Sequence, residues 1–118
     1  MQNRDFFPDI ITSLPQADIP AKGLTSYLLQ CTNHQVAFMI FEEDIEIPEH
    51  SHEAQWGVVL DGEIELTIDG ERQIYRRGDT YFIPEDIPHS ARIKARYKDL
   101  TFFNQNDRFK AGNKPDRS

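Results

Sequence analysis

The chain contains four histidines, His34, His50, His52 and His89, and two of them fall in the run His50-Ser51-His52. On a helix, residues i and i+2 do not share a face; on a strand they do. If this segment is extended, the two imidazoles point to one side, close enough to bind one ion together. Imidazole suits Zn, Fe, Ni and Cu and, less selectively, Mn. His89 lies far along the chain, after a loop bracketed by Pro84 and Pro88. It becomes a third ligand if folding returns it to the pair. Gln55 follows His52 by three residues. On an unbroken strand its side chain faces away from His52, so it joins the site only where the chain bends or bulges, an irregularity common beside active sites. The structural alternative is a surface pair on a loop after Pro48 and a His89 that caps a turn.

Other residues invite chemistry less strongly. Cys31 and His34 stand three apart without a third group to orient them; a buried cysteine and a turn histidine explain both. Ser51, between the two histidines, is turned away from them by strand geometry. Glu42, Glu43, Asp44, Glu46, Glu49 and Glu53 form an acidic run. Such a run reads as a solvated edge that discourages strand pairing rather than as a second cation site. Trp56, the only tryptophan, either walls a pocket or packs outside, against solvent or a partner. Glycine-rich phosphate loops are absent, because Asp61-Gly62 and Asp69-Gly70 read as hairpin turns.

The elements that must position these groups are strands. Residues 24–31 and 35–41 are short apolar runs rich in aromatic and β-branched types. Residues 63–68 alternate strictly, with Ile64, Leu66 and Ile68 on one face. Asp69-Gly70 then turns the chain into 71–76. Residues 80–83, 90–95 and 97–103 add three more strands. No stretch of a dozen residues carries a helical stripe. Many short strands with frequent turn signals indicate a sandwich or barrel. Phe38, Ile40, Val59, Ile64, Leu66, Ile68, Phe82, Ile83, Leu100 and Phe102 are expected to supply its apolar wall. Phe6, Phe7, Ile10 and Ile11 at the N-terminus are too apolar for a free coil and are expected across the barrel or a partner subunit. Residues 105–118 are polar and aperiodic, and read as a loose tail.

Composition sets the outer limits. The 118 residues make one domain, and an 11% aromatic content is too high for a disordered chain. The balance of 13 basic against 20 acidic residues, net −7, argues against nucleic acid as a partner. No apolar run is long enough to span a membrane, and the N-terminal residues lack a signal-like apolar core. With a single cysteine, a cytoplasmic location is expected.

Two segments carry a family resemblance. Residues 48–62 (PEHSHEAQWGVVLDG) and 78–91 (GDTYFIPEDIPHSA) resemble the two motifs of the cupin superfamily. His50, His52 and Gly62 match the first; Gly78, Pro84 and His89 match the second. The resemblance covers about residues 36–103. It departs from the family at Gln55, where a glutamate ligand is usual, at Asp86, where a glycine is usual, and at Ile93, where asparagine is common.

The resemblance implies an all-β double-stranded β-helix, the jelly-roll cupin barrel. It would span residues 1–104 with the N-terminal arm, followed by the tail. It also implies a homodimer and one divalent transition metal (Fe, Mn, Ni or Zn) held by His50, His52, Gln55 and His89. A neutral Gln55 leaves the ion its full charge, which strengthens Lewis acidity and attracts anionic oxygen ligands. The expected partner is therefore a small oxygenated molecule. The leading activity is a metal-dependent dioxygenase. The alternatives are a ligand-binding or sensor cupin, and a sugar or keto-acid isomerase that draws its base from Tyr75, Tyr81 or a glutamate.

Overall fold

The computed structural model describes residues 6–112. Its nine strands are β1 (Leu24–Gln30), β2 (Gln35–Phe41), β3 (Ile45–His50), β4 (Gln55–Asp61), β5 (Glu63–Ile68), β6 (Glu71–Arg76), β7 (Thr80–Ile83), β8 (His89–Ile93) and β9 (Tyr97–Phe103). A four-residue helix, α1 (Asp9–Thr12), precedes them. The strands form two antiparallel sheets, ordered β1-β2-β9-β4-β7 and β3-β8-β5-β6. Their inner faces enclose the core, in which Val59, Ile64, Leu66, Ile83, Ile93 and Tyr97 are buried. The jelly-roll barrel expected from the motifs is thus the fold.

The turns behave as their residue types require. Asp69 and Gly70 both take left-handed φ values, 51° and 82°, as a two-residue hairpin with the twist of its strands demands. Asp86 also lies in the left-handed region, φ 61°. A short polar side chain is tolerated there, so the missing glycine is replaced without losing the turn.

The two outer faces differ. On the four-stranded sheet, charged rows face solvent: Arg92 pairs with Glu46 at 3.6 Å, Arg72 with Glu65 at 3.8 Å and Arg76 with Glu63 at 3.4 Å. The open groove over Glu46, Glu63, Glu65 and Arg92, about 400 Å³, belongs to this solvated face. The five-stranded sheet is apolar outside as well as inside. Its outer side is partly covered by the N-terminal arm, where Phe7 is buried against Tyr27 and Ile40, with Phe6, Ile11 and Leu14 beside them. The arm thus lies on its own barrel. Beyond it, Leu29, Phe102, Trp56 and Phe82 remain exposed.

Two expectations need correction. Phe82 and Phe102 do not wall the interior, since both are exposed, and Phe38 and Ile40 pack under the arm. The inward residues of β9 are Tyr97, Asp99, Thr101 and Phe103, all buried. Of the two places open to Trp56, it takes the outer face, 41% exposed. Residues 105–112 are no loose tail. Phe109 exchanges backbone hydrogen bonds with the buried Gln35 side chain, donating at 3.0 Å and accepting at 2.8 Å, and Ala111 bridges Ala17. Phe109 also packs on the core, which offsets the entropy of ordering this polar stretch. Residues 113–118 of the predicted tail lie outside the described residues.

Candidate metal centre

His50 ends β3 and stands opposite His89, the first residue of β8. The ladder between these strands shifts register between Ile47 and His50. His52 is not on the strand. It sits in the loop 51–54, so strand alternation does not explain its approach; the loop does. That loop is pinned by Asp86 N donating to the His52 carbonyl and Asn104 N donating to the Ala54 carbonyl, both at 2.9 Å. The ring centroids of His50 and His52 are 5.1 Å apart, those of His50 and His89 4.3 Å, and those of His52 and His89 4.7 Å. One ring nitrogen from each histidine falls within 4.8 Å of the other two.

The tautomers follow from the hydrogen bonds. Each Nδ1 faces a backbone carbonyl: Pro48 at 3.0 Å for His50, Glu53 at 2.7 Å for His52 and Ile87 at 2.9 Å for His89. A carbonyl only accepts, so Nδ1 carries the proton and Nε2 keeps its lone pair. Nε2 of His52 and Nε2 of His89 then face each other at 3.1 Å. Two lone pairs at that distance need a proton or a cation between them. Ligands at about 2.0–2.1 Å from one ion stand roughly 3 Å apart, so the spacing fits a shared ion. Carbonyl bonds to the other ring nitrogens are the usual means of fixing metal-binding imidazoles. The donor set therefore suits a divalent transition ion.

Electrostatics favours the neutral, ligating form. Burial, with smaller contributions from Arg108 and the neighbouring histidines, pushes His52 down to about 4. Burial also lowers His89, with help from His50 and Arg108.

Below the triad lies a narrow cavity of about 80 Å³. His50, His89, Gln55 and Arg108 line it together with Tyr81, Asp99 and Thr101, and Met39, Phe41, Ile64 and Leu66 form apolar walls. Gln55 faces this space because the chain leaves the strand after His50 and β4 begins afresh at Gln55. Its Nε2 donates a long, 3.5 Å bond to the Tyr81 hydroxyl. Tyr81 in turn fits only because residue 57 is glycine, since a Cβ there would lie 2.3 Å from Tyr81 Cζ.

Two lining residues were not singled out from the sequence. Arg108 lies in the supposed tail. Its guanidinium stacks on Phe109 at 4.5 Å and its Nε is buried without a hydrogen-bond partner. Asp99 is 3% exposed, and burial pushes its carboxyl up to about 7. A close reading of the period-two pattern of 97–103 would have placed Asp99 with Tyr97, Thr101 and Phe103. Of the expected bases, Tyr81 reaches the cavity; the glutamates and Tyr75 do not line it.

The fold and the site together define a small two-sheet antiparallel barrel with three converging imidazoles that could hold a metal ion. The cupin domain family model matches residues 37–98, more than half of the chain, and the chain belongs to that family. A quercetin 2,3-dioxygenase from Bacillus subtilis is 50% identical over 38 residues, 32% of this chain and 11% of that protein. The chain thus spans a small part of that curated relative. Among solved structures, KdgF from a Halomonas species superposes with TM-score 0.70 at 20% identity, over 86% of this chain and 94% of that one. An RmlC-like cupin from Shewanella frigidimarina gives 0.69 at 21% identity, over 81% and 87%. The oxalate decarboxylase of Bacillus subtilis, described with Mn(II) centres, gives 0.66 at 20% identity, over 82% of this chain and 29% of that one. Among the described residues, no helix is long and apolar enough to cross a membrane.

Proposed function

We propose that His50, His52 and His89, with Gln55 as a fourth ligand, hold one divalent transition ion that binds a small oxygenated organic molecule, and that the protein acts as a dioxygenase on it. The observation that carries this reading is the convergence of three Nε2 lone pairs whose Nδ1 protons are all committed to backbone carbonyls. When bound, the ion supplies Lewis acidity and open positions for oxygen donors. The short match to a quercetin dioxygenase supports the reaction class.

The chain's own residues select the ligand. Neutral Gln55 adds no negative charge to the donor set. Arg108, with a buried Nε and no ion pair among the described residues, offers a guanidinium to a carboxylate or enolate oxygen. The apolar walls exclude water from the rest of the molecule. The test is oxygen uptake by protein loaded with Fe(II), Mn(II) or Ni(II) and offered flavonols, diketones and hydroxy acids. The expected result is uptake that is lost in His89→Ala. A saturable spectral shift without turnover replaces the dioxygenase with a ligand sensor.

A second reading, isomerisation of a sugar or keto acid, is favoured by one observation: proton-carrying side chains, Tyr81 and Asp99, line the same cavity. Carbon-bound hydrogen exchange in D2O, without oxygen uptake, would select it. A homodimer belongs to either reading. The exposed row Leu29, Phe102, Trp56 and Phe82 is the face such a contact would bury, and light scattering that returns a monomer removes the dimer.

A further inference from the structure

Residues 104–112 follow β9 and carry Arg108 to the cavity. They are fastened by side chains that do not line it. Gln35, the first residue of β2, is fully buried. It stands opposite Phe103, which in turn stands opposite Gln55. A carboxamide buried this deeply must place its donors and its oxygen. Gln35 Nε2 donates to the Phe109 carbonyl at 2.8 Å and to Gln30 Oε1 at 2.7 Å, and its Oε1 accepts from Phe109 N at 3.0 Å. Gln30 Nε2 donates to the Asn106 carbonyl at 2.9 Å, and Asn106 Nδ2 donates to the Thr32 carbonyl at 2.8 Å. Arg108 is thus bracketed by two residues, Asn106 and Phe109, that are both tied to the β1–β2 hairpin. Its guanidinium lies 4.5 Å from the Phe109 ring centroid and 5.8 Å from that of Phe103, the ring against which His52 packs. Its buried Nε has no hydrogen-bond partner.

We propose that Gln35 is a positioning residue of the site: by gripping the Phe109 backbone it sets the Arg108 guanidinium in the cavity, and so gives the site its preference for anionic ligands. This rests on the reading of Arg108 as an anion-binding group beside an ion held by the histidines. A carboxamide is the side chain that offers a donor and an acceptor side by side to a backbone N–H and C=O. An ionised glutamate at this position keeps the acceptor and loses both donors. Methionine, of similar length, loses all three bonds. Without the grip, Arg108 is ordered by ring stacking alone and gives up its rotamer freedom only when an anion binds. That cost falls on anions. A neutral ligand that meets only the ion does not bear it.

The test uses Co(II)-loaded protein and two probes, oxalate and imidazole, titrated against the visible spectrum of the cobalt. In Gln35→Met, oxalate is expected to bind about tenfold more weakly, while imidazole binding and cobalt affinity stay as in the wild type. Arg108→Leu is expected to lose at least as much oxalate affinity. Adding Gln35→Met to it costs nothing further, because the two residues act as one. Gln30→Ala, at an exposed position, is expected to weaken oxalate in the same direction by a smaller factor, and it carries the test if Gln35→Met does not fold. Oxalate affinity that is equal in the wild type and the Gln35 or Gln30 variant overturns the proposal. So do a parallel loss of oxalate and imidazole, oxalate binding untouched by Arg108→Leu, and losses that add in the double variant. Failure of the metal-site reading is distinguishable: protein that takes up no cobalt rejects the ion. Oxalate is then titrated calorimetrically against the metal-free wild type and the same variants, where the coupled loss upholds the role of Gln35, and its absence, or no oxalate binding at all, overturns it.

Discussion

One region of the barrel holds three imidazoles, two of which line the cavity; another holds the Asp99 carboxyl with the Tyr81 and Tyr97 phenols. Burial acts on both, in opposite directions on the pKa scale and with one chemical result. It pushes His52 down to about 4 and Asp99 up to about 7. In each case the neutral form is favoured, because a dry interior penalises charge of either sign. For an imidazole, neutrality means a lone pair ready for a cation. For a carboxyl, it means a proton that can be held or shared. The same desolvation thus prepares a ligand set in one region and a hydrogen-bonding group in the other.

Breaking the first region has the largest expected effect. His89→Ala removes the imidazole that stands opposite His50 on the neighbouring strand and faces His52 Nε2 at 3.1 Å. It is expected to weaken cobalt or zinc binding by more than about a hundredfold in a chelator competition assay. The fold should survive in far-UV circular dichroism, since His89, although buried, is the first residue of β8 and lies outside the apolar core cluster.

Breaking the other region tests the sign of the comparison through pH. His52 is lower in the folded chain than its ordinary 6.5. The unfolded chain therefore binds a proton that the folded one refuses between about pH 6.5 and 4, and the metal-free protein loses stability as pH falls through that window. Asp99 is higher than its ordinary 3.8. Here the folded chain holds the extra proton, and stability is lost as pH rises from about 4 to 7. Asp99→Asn removes the second effect alone. Its Tm is expected to exceed that of the wild type by roughly 5 °C or more at pH 8, and to match it near pH 4. A gain that is the same at both pH values would mean that Asp99 is not charged at pH 8.

Gln55→Glu sharpens the comparison by adding charge only beside the imidazoles. A carboxylate in place of the amide is expected to tighten divalent-ion binding about tenfold, with the pH dependence due to Asp99 unaltered. Unchanged affinity would place Gln55 outside the ion's ligands. The smallest effect is expected away from the cavity. Arg72→Ala breaks an ion pair on the charged outer face, and its cost in a urea titration should stay below about 0.5 kcal/mol.

How much of this was legible in the sequence depends on which sheet is read. In the four-stranded sheet, Ile64, Leu66 and Ile68 alternate with Glu63, Glu65 and Thr67, and the observed strand β5 has the bounds and inward face which that pattern predicts. The hairpin at Asp69-Gly70 was equally plain. In the five-stranded sheet both faces are apolar, because the N-terminal arm covers part of the outside. Period two then carries no sign, and Phe38, Ile40, Phe82 and Phe102 were placed inside when they face out. That ambiguity hid Asp99. The three histidines were legible by spacing and by resemblance, although the route differs: His52 arrives on a pinned loop, not by strand alternation. Arg108 was not legible, because nothing in a polar, aperiodic stretch shows that Phe109 fastens it to Gln35.

The central claim is that three Nε2 lone pairs converge on a cation. The most direct test is the metal content of protein purified anaerobically without a histidine tag, measured by inductively coupled plasma mass spectrometry beside His89→Ala. The account predicts about one equivalent of Fe, Mn, Ni or Zn in the wild-type protein and almost none in the variant. Wild-type protein that holds no ion, even after soaking in each of these metals, would contradict it.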